Sequence, residues 1–573
     1  MTDFTIKVWK ILEKSILYGK KGGGRELDKV KKLSKYIKDY GIIYVVKKAL
    51  YRYLIAYKFG KKYFPFEISE NTRKSEQEYK SKQKIKVSIV VPLYNTPEIF
   101  LREMLDSVQN QTYTEWELCF ADASDKKNEQ VRRIVEKYQS SDRRIKYKKL
   151  EKNEGISENT NKAFEMATGD YIGLMDHDDL LHPSALYNIV KSVEEKKADF
   201  IYTDELTFIE EPDRVQSIHF KPDFSWETFR NNNFICHFTV FKRNLLKKVG
   251  GFRKKYDGSQ DYDLFLRLLE KAENIYHIPK VLYYWRLHAG SVSSGVGAKP
   301  YTIEAGRKAV EEHLHRNNVI GKVYASEQYG PFYTVDYHIS EKDKNLIVVE
   351  SKQAKKFAIQ EINKSDLEYD IIEREKLNFF RLSSYNNIIF VADGYKRYVD
   401  STGEKSDRGV FEEVLQCLQP VENVAAGTAV YYGKKVYQAG YCYDKGLKKF
   451  IMPLYRGVPV KDPAYMNRLK FRQNVSLLGK GVFAVKSEML SEYIHKYKDK
   501  EDSDLFSDEF YFDLCTYINQ TEKRCVVSPL MPLCTNLRVE DFMTQEYGTK
   551  IQKRDYAYNT NMNYFGKYYF LWK

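Results

Sequence analysis

Three short stretches hold side chains that could do chemistry together. Asp176-His177-Asp178-Asp179 places three carboxylates within four residues, directly after the apolar run Tyr171-Ile-Gly-Leu-Met175. Pro92-Leu-Tyr94-Asn95-Thr96 follows Val87-Ser-Ile-Val-Val91, and Ala121-Asp122-Ala-Ser124-Asp125 follows Glu117 to Phe120. Carboxylates at the end of a buried strand suit a hard divalent cation, Mg2+ or Mn2+, which keeps water and substrate phosphate as its other ligands. Asp-x-Asp also occurs in solvated turns, so the weight rests on its position after an apolar strand.

The elements around these stretches have a regular pitch. Val87–Val91, Glu117–Phe120, Ile145–Leu150 and Tyr171–Met175 have strand character, and amphipathic helices are expected at 98–110, 127–139 and 157–167. Strand–helix alternation predicts an open, mostly parallel α/β sheet. Ligands bind such sheets at the carboxyl ends of the strands, where all three stretches fall.

Composition narrows the class further. The chain has 573 residues, 43% of them apolar, with 47 Tyr and 32 Phe but only 15 Pro, which excludes low-complexity and Pro-rich classes. Its seven cysteines, at 119, 236, 417, 442, 515, 525 and 534, form no Cys-x-x-Cys pair, so reduced thiols are expected rather than a disulfide framework. Residues 1–86 hold 23 Lys and Arg against 9 Asp and Glu, whereas the remainder holds 71 against 70. A basic extension thus precedes a neutral body. Amphipathic basic helices are expected at 5–18, from 26 to 37, and over Ile42 to Tyr57, and 67–86 has the composition of a linker. Met1-Thr2-Asp3 leads into Lys-bearing sequence, so no signal peptide is expected. Lys47, Lys48 and Arg52 interrupt the 42–57 segment and exclude an unaided bilayer span. Such helices suit an anionic membrane surface, or the protein body with their lysines facing water. No nucleic-acid-binding motif accompanies the charge.

From about Lys86 to Val323 the chain closely resembles family 2 glycosyltransferases of the GT-A fold, in particular those of bacterial cell-surface polysaccharide and O-antigen assembly. The resemblance lies in Val87–Thr96, Trp116–Ser124, Asn153–Ser157, Gly169–Asp179, Tyr202-Thr-Asp-Glu205, Phe220-Lys-Pro-Asp223, Gly258-Ser-Gln-Asp-Tyr-Asp-Leu264 and His277–Arg286, and ends at Ser291. It implies that Pro92, Tyr94 and Asn95 line the nucleotide pocket with Tyr94 on the base. It implies that Asp122 bonds the base; Ala121 replaces the usual second acid, which leaves the base open. Asp178 is implied as direct metal ligand, Asp176 as neighbour of ribose or metal, and His288 as the residue closing over metal and diphosphate, although relatives often have His where Tyr284 stands. Asp261 is implied as general base, with a single carboxylate giving inversion.

Other roles are open for several of these residues. Asp261 could instead cap the helix expected from Tyr262 to Lys271. Asp263 is expected to be structural. His237 could line the acceptor site or be a bonded core histidine. Asp204, Glu205 and Lys221 could touch substrate or serve structure, and His177 and Asp179 could point away from the metal.

Residues from about 329 resemble an altered copy of the same fold. Asn387-Ile-Ile-Phe-Val-Ala-Asp393-Gly394 keeps one acid of the metal motif, and Glu509–Cys515 places Tyr511 where the base would be. A tyrosine with a pKa near about 10 is a poor base at neutral pH, so this copy is expected to be non-catalytic.

The expected organisation is a basic helical extension and linker over 1–85, a catalytic GT-A domain over 86–325 and a degenerate GT-A-like domain over 326–573. The expected activity is inverting, Mg2+- or Mn2+-dependent transfer of a sugar from a UDP- or dTDP-sugar to a lipid-linked or growing cell-surface glycan. Residues 1–60 would hold the protein on the inner, cytoplasmic face of the membrane, and a homodimer is left open. The alternative is a non-catalytic glycan-binding scaffold. A nucleotidyltransferase would need a glycine-rich, basic loop after the first strand, which Pro92–Pro97 lacks.

Overall fold

The computed structural model describes residues 34, 37, 38, 40–53, 65–288, 300–377, 379–399, 408–444, 450–497 and 505–536. They fall into two compact units, Met1–Lys221 with Asn233–His313, and Pro222–Asn232 with Leu314–Lys573.

The first unit begins with α1 (Ile42–Tyr53) and α2 (Glu70–Gln77). Then come β1 (Val87–Leu93), α3 (Glu98–Gln109), β2 (Trp116–Asp122), α4 (Gln130–Ser141), β3 (Ile145–Lys149), α5 (Ile156–Met166), β4 (Tyr171–Leu174) and β5 (Leu180–Leu181). They are followed by α6 (Ala185–Lys196), β6 (Phe200–Ile209) and β7 (Glu211–His219). After α7 (Trp226–Asn231), which belongs to the second unit, come β8 (Thr239–Lys242), α8 (Arg243–Val249), α9 (Gln260–Leu269), β9 (Ile275–Arg286) and α10 (Pro300–Arg316).

The nine strands form one sheet in the order β3-β2-β1-β4-β8-β6-β9-β5, with β7 paired to β6. β3, β2, β1 and β4 run parallel. β8 is antiparallel to β4 and β6, while β9 runs parallel to β6. Every residue of β1 and β2 is buried, as the unbroken apolar runs require of strands covered on both faces. Leu101, Leu105 and Val108 of α3 and Val131 and Val135 of α4 share a core with Val87, Ile89, Val91, Leu118 and Phe120. This packing brings the ends of β1, β2 and β4 side by side.

Element bounds differ from the expected ones in places. The helix expected at 127–139 is a short 3-10 turn, Lys126–Asn128, followed by α4. The 67–86 stretch contains α2 and is pinned to the unit by single polar groups. Glu76 accepts from Thr112 Oγ1 at 2.8 Å, and Glu194 accepts from Gln83 N–H at 3.3 Å. The helices expected at 5–18 and 26–37 lie outside the described residues, apart from Ser34, Ile37 and Lys38, which are helical. In α1, Val45 and Ala49 are buried while Ile42 and Ile43 are exposed. Among the described residues, no helix is long and apolar enough to cross a membrane.

The second unit repeats much of this topology. Its sheet runs 369–373, 345–349, 387–391, 482–486, 423–432, 524–535, 395–397, with 435–438 paired to 423–432 and 473–475 paired to 524–535. Its main path is that of the first unit without β3, 473–475 being an addition, and directions match at the equivalent pairs. Asp393, after strand 387–391, opens onto a cleft of about 360 Å3 lined also by Lys356, Phe357, Gln360, Lys396 and Arg397. Tyr511 is fully buried in helix 508–519.

Candidate active site

The acidic turn after β4 divides its carboxylates by direction. Asp179 turns inward and is fully buried. It accepts the Tyr283 hydroxyl at 2.6 Å and the Arg286 backbone N–H at 2.7 Å. Burial first, then Asp178, hold its carboxyl well above the usual range. Tyr283 also accepts the backbone N–H of Asp176 at 3.2 Å, so β9 fixes both ends of the turn. Asp178 and Asp176 face outward, the Asp176 side chain 52% exposed. Asp178 Oδ2 meets His288 Nε2 at 2.8 Å. The nearby Arg286 guanidinium donates to the Asp178 carbonyl at 2.8 Å and reaches Glu103. It also lies 4.7 Å from the rings of both Phe100 and Phe208, contacts favourable to a cation over an aromatic face. Tyr284 instead packs edge-on against Phe66 at 4.9 Å, away from the acidic turn.

Behind Asp176 stands His237. Its ring stacks on Tyr283 at 5.2 Å, with Nδ1 3.3 Å from Glu205 and Nε2 3.6 Å from Asp176. Burial disfavours charge on this imidazole, but Glu205 outweighs it and lifts His237 to about 9. Glu205 is itself buried, yet Lys221, His219 and His237 hold it well below the carboxylate range. Asp204 is structural, accepting from His277 Nε2 at 2.8 Å and Lys221 N–H at 2.9 Å. The glycine at 173 admits Phe238, because a Cβ there would come within 2.7 Å of the ring.

Asp261 lies in the first turn of α9, whose N-cap is Ser259. The helix starts two residues earlier than expected, so Asp261 is not its cap. Burial and then Asp176 push its carboxyl up to about 6, against His237. Asp263, one residue past Tyr262, is fully buried with Arg267 at 2.7 Å and Arg253 Nε at 3.1 Å.

The two remaining loops are locked to each other. Asn95 has a left-handed φ of 52°. Its side chain donates to Asp125 at 2.8 Å and accepts from Asp125 N–H at 3.0 Å and Asn128 at 2.7 Å. Asp122 is buried, accepting Ser124 N–H at 2.8 Å, the Tyr147 hydroxyl at 2.6 Å and Lys149 at 3.2 Å. Pro92 is the penultimate residue of β1, paired with Ala121 within the sheet, and Tyr94 is 44% exposed.

Residues 88–250 match the protein family described as glycosyl transferase family 2. The uncharacterized glycosyltransferase MJ1057 of Methanocaldococcus jannaschii is 30% identical over 206 residues, covering 35% of this chain and 70% of that protein. The chain belongs to glycosyl transferase family 2. The uncharacterized protein y4gI of Sinorhizobium fredii is 44% identical over 233 residues, 40% of this chain and 25% of that one. The O-antigen biosynthesis protein RfbC of Myxococcus xanthus is 33% identical over 269 residues, 46% of this chain and 21% of that one. The chain therefore spans about a quarter or less of the length of these two relatives. The solved structure of S. aureus TarS 1-349 with UDP-GlcNAc aligns over 40% of this chain and 67% of its own, at 23% identity and a TM-score of 0.35.

A divalent cation of the kind family 2 implies fits the donors present. Asp178 Oδ2 and His288 Nε2 lie 2.8 Å apart, with Asp176 two residues before Asp178, and oxygen-rich, partly hydrated coordination needs few protein ligands. Among the described residues no group of three or more His, Cys, Asp or Glu is arranged to hold a metal ion, so water and substrate oxygens would have to complete the shell. Tyr283 and Arg286, which shape the acidic turn, had no role assigned from sequence. Their signal there was membership of the His277–Arg286 block that carries the resemblance.

Proposed function

We propose that this family 2 protein is an inverting glycosyltransferase that uses a UDP- or dTDP-sugar and a glycan hydroxyl as acceptor. The observation that carries this is the 2.8 Å approach of His288 to Asp178 at the carboxyl end of β4, with Asp176 beside it and Asp261 within electrostatic reach. Mg2+ or Mn2+ held by Asp178 and His288, with Asp176 next to them, would supply Lewis-acid stabilisation of the leaving diphosphate. Asp261 takes the proton of the acceptor hydroxyl as that oxygen attacks from the face opposite the leaving group, which inverts the anomeric centre. Tyr94 offers its exposed ring to the base, and Pro92 and Asn95 set the floor of the pocket. Asp122 bonds the base only by exchanging Tyr147 or Lys149 for it; otherwise it shapes the second loop.

The name of the RfbC relative supports a cell-surface glycan, lipid-linked or growing, as acceptor. The charge excess of residues 1–86 supports peripheral attachment of the protein to the cytoplasmic, inner face of an anionic membrane. Salt-sensitive sedimentation with anionic vesicles tests the attachment, and equal sedimentation with neutral vesicles refutes it. The transfer itself is tested by NMR of the anomeric proton during turnover of UDP- and dTDP-sugars. Inverted configuration, lost in Asp178→Ala, is expected. Retained configuration, or turnover unaffected by Asp178→Ala, contradicts the proposal.

A further inference from the structure

Glu205 and Lys221 form a buried charged pair, the Glu205 side chain only 3% exposed and 3.4 Å from Lys221 Nζ. Placing two charges in an interior costs several kcal/mol per ion before attraction and hydrogen bonds offset it. Two apolar side chains would fill the same space without that cost. They could not bind the polar groups of an irregular backbone segment, and that is what this pair does for the residues just before β8. Lys221 Nζ donates to the carbonyls of Ile235 at 2.9 Å and His237 at 2.5 Å. Glu205 accepts the backbone N–H of His237 as well as facing its ring. His219 Nδ1, 2.6 Å from Glu205 Oε1, occupies the other carboxylate oxygen.

Three backbone groups of one short segment are thus bound by two buried side chains. The segment carries the His237 ring, which is clamped by Tyr283 on one side and Trp285 at 5.3 Å on another. Its Nδ1 is turned to Glu205, so Nε2 faces Asp176. The neighbouring Phe238 seats against Gly173 of β4 and registers the segment to the strand that ends in the acidic turn.

We propose that Glu205 and Lys221 are positioning residues acting through His237, setting the imidazole behind Asp176 so that the Asp176 carboxylate stays on the donor side of the turn. This inference rests on the transferase reading. Both side chains are 3% exposed, so the effect of the pair belongs to the geometry of Asp176 and the affinity for a divalent cation.

A double-mutant cycle on the full chain tests it, with His237→Asn, Glu205→Gln and the double variant. Mn2+ affinity is read by electron paramagnetic resonance in the presence of UDP or dTDP, beside kcat and acceptor KM. Outer-shell partners of metal sites are each worth about 10- to 100-fold in affinity or activity. His237→Asn should therefore weaken Mn2+ binding and lower kcat by about that factor, with acceptor KM unchanged. Glu205→Gln should lose a similar factor, and the double variant should be no worse than His237→Asn, because the two act as one unit. His237, with its side chain 20% exposed, is the milder change, and its Mn2+ titration decides the matter should Glu205→Gln not fold. Additive losses, or wild-type Mn2+ affinity in His237→Asn, overturn the inference. A wild type that binds no nucleotide with Mn2+ overturns the transferase reading and this inference with it.

Discussion

Asp261 carries the sharpest residue-scale consequence. Its carboxyl is pushed up to about 6 by burial and by Asp176, so it holds a proton below that pH and is a free base above it. The kcat/KM profile should fall about tenfold per pH unit below about pH 6 and level off above. Asp261→Asn should remove this acid limb and cost about 10²- to 10⁴-fold in kcat, the range for a lost general base. An unchanged limb in the variant would place the titrating group elsewhere. At this scale the position after an apolar strand pointed to Asp176 and Asp178, whereas Asp261 and His288 came from the family resemblance alone. The structure sets His288 against Asp178 and Asp261 within electrostatic reach of Asp176. What could not be read was the direction of each carboxylate. Asp122 and Asp179 are acids in the same kind of turn as Asp178, yet Tyr147, Lys149, Tyr283 and Arg286, all remote in sequence, turn them inward.

Helix α9 shows how an element orients the proposed base. Asp263 faces the core, where Arg267 one turn on and Arg253 before the helix meet its charge. Asp261, two positions earlier, is thereby turned to the opposite side. Removing one partner of a buried charged cluster leaves the others uncompensated, at a cost of roughly 3–5 kcal/mol. Asp263→Asn should lose that much in urea unfolding, whereas a loss under about 1 kcal/mol would show that the arginines find water or other partners. Helices and strands with strong periodicity, such as β1, α3 and β4, were legible from the apolar pattern alone. The 67–86 stretch was not, because it is fastened by isolated bonds, Glu76 to Thr112 and Gln83 to Glu194, rather than by an apolar stripe.

At the scale of the whole molecule, the two units share a strand path but not the acidic residues at its ends. The second unit keeps the β-scaffold with little of the sequence that fills the first site: Asp393 is the lone acid after its strand 387–391, and Tyr511 is buried in its helix. Apolar strand runs made the repeat legible, since a sheet core tolerates any residues of suitable size and pattern. The excursion of residues 222–232 into the second unit had no such signal, because chain order does not show which core a short helix joins. Nucleotide and metal are therefore proposed for the first unit alone. The most direct test is a thermal-shift panel of UDP, dTDP, GDP and CDP, each with and without Mn2+, on wild type, Asp178→Ala and Asp393→Ala. A nucleotide at about 100 times its Kd stabilises by about 2.7 kcal/mol, and the account predicts such a shift for UDP or dTDP with Mn2+, lost in Asp178→Ala and kept in Asp393→Ala. A shift abolished by Asp393→Ala, or none with any nucleotide, would contradict it.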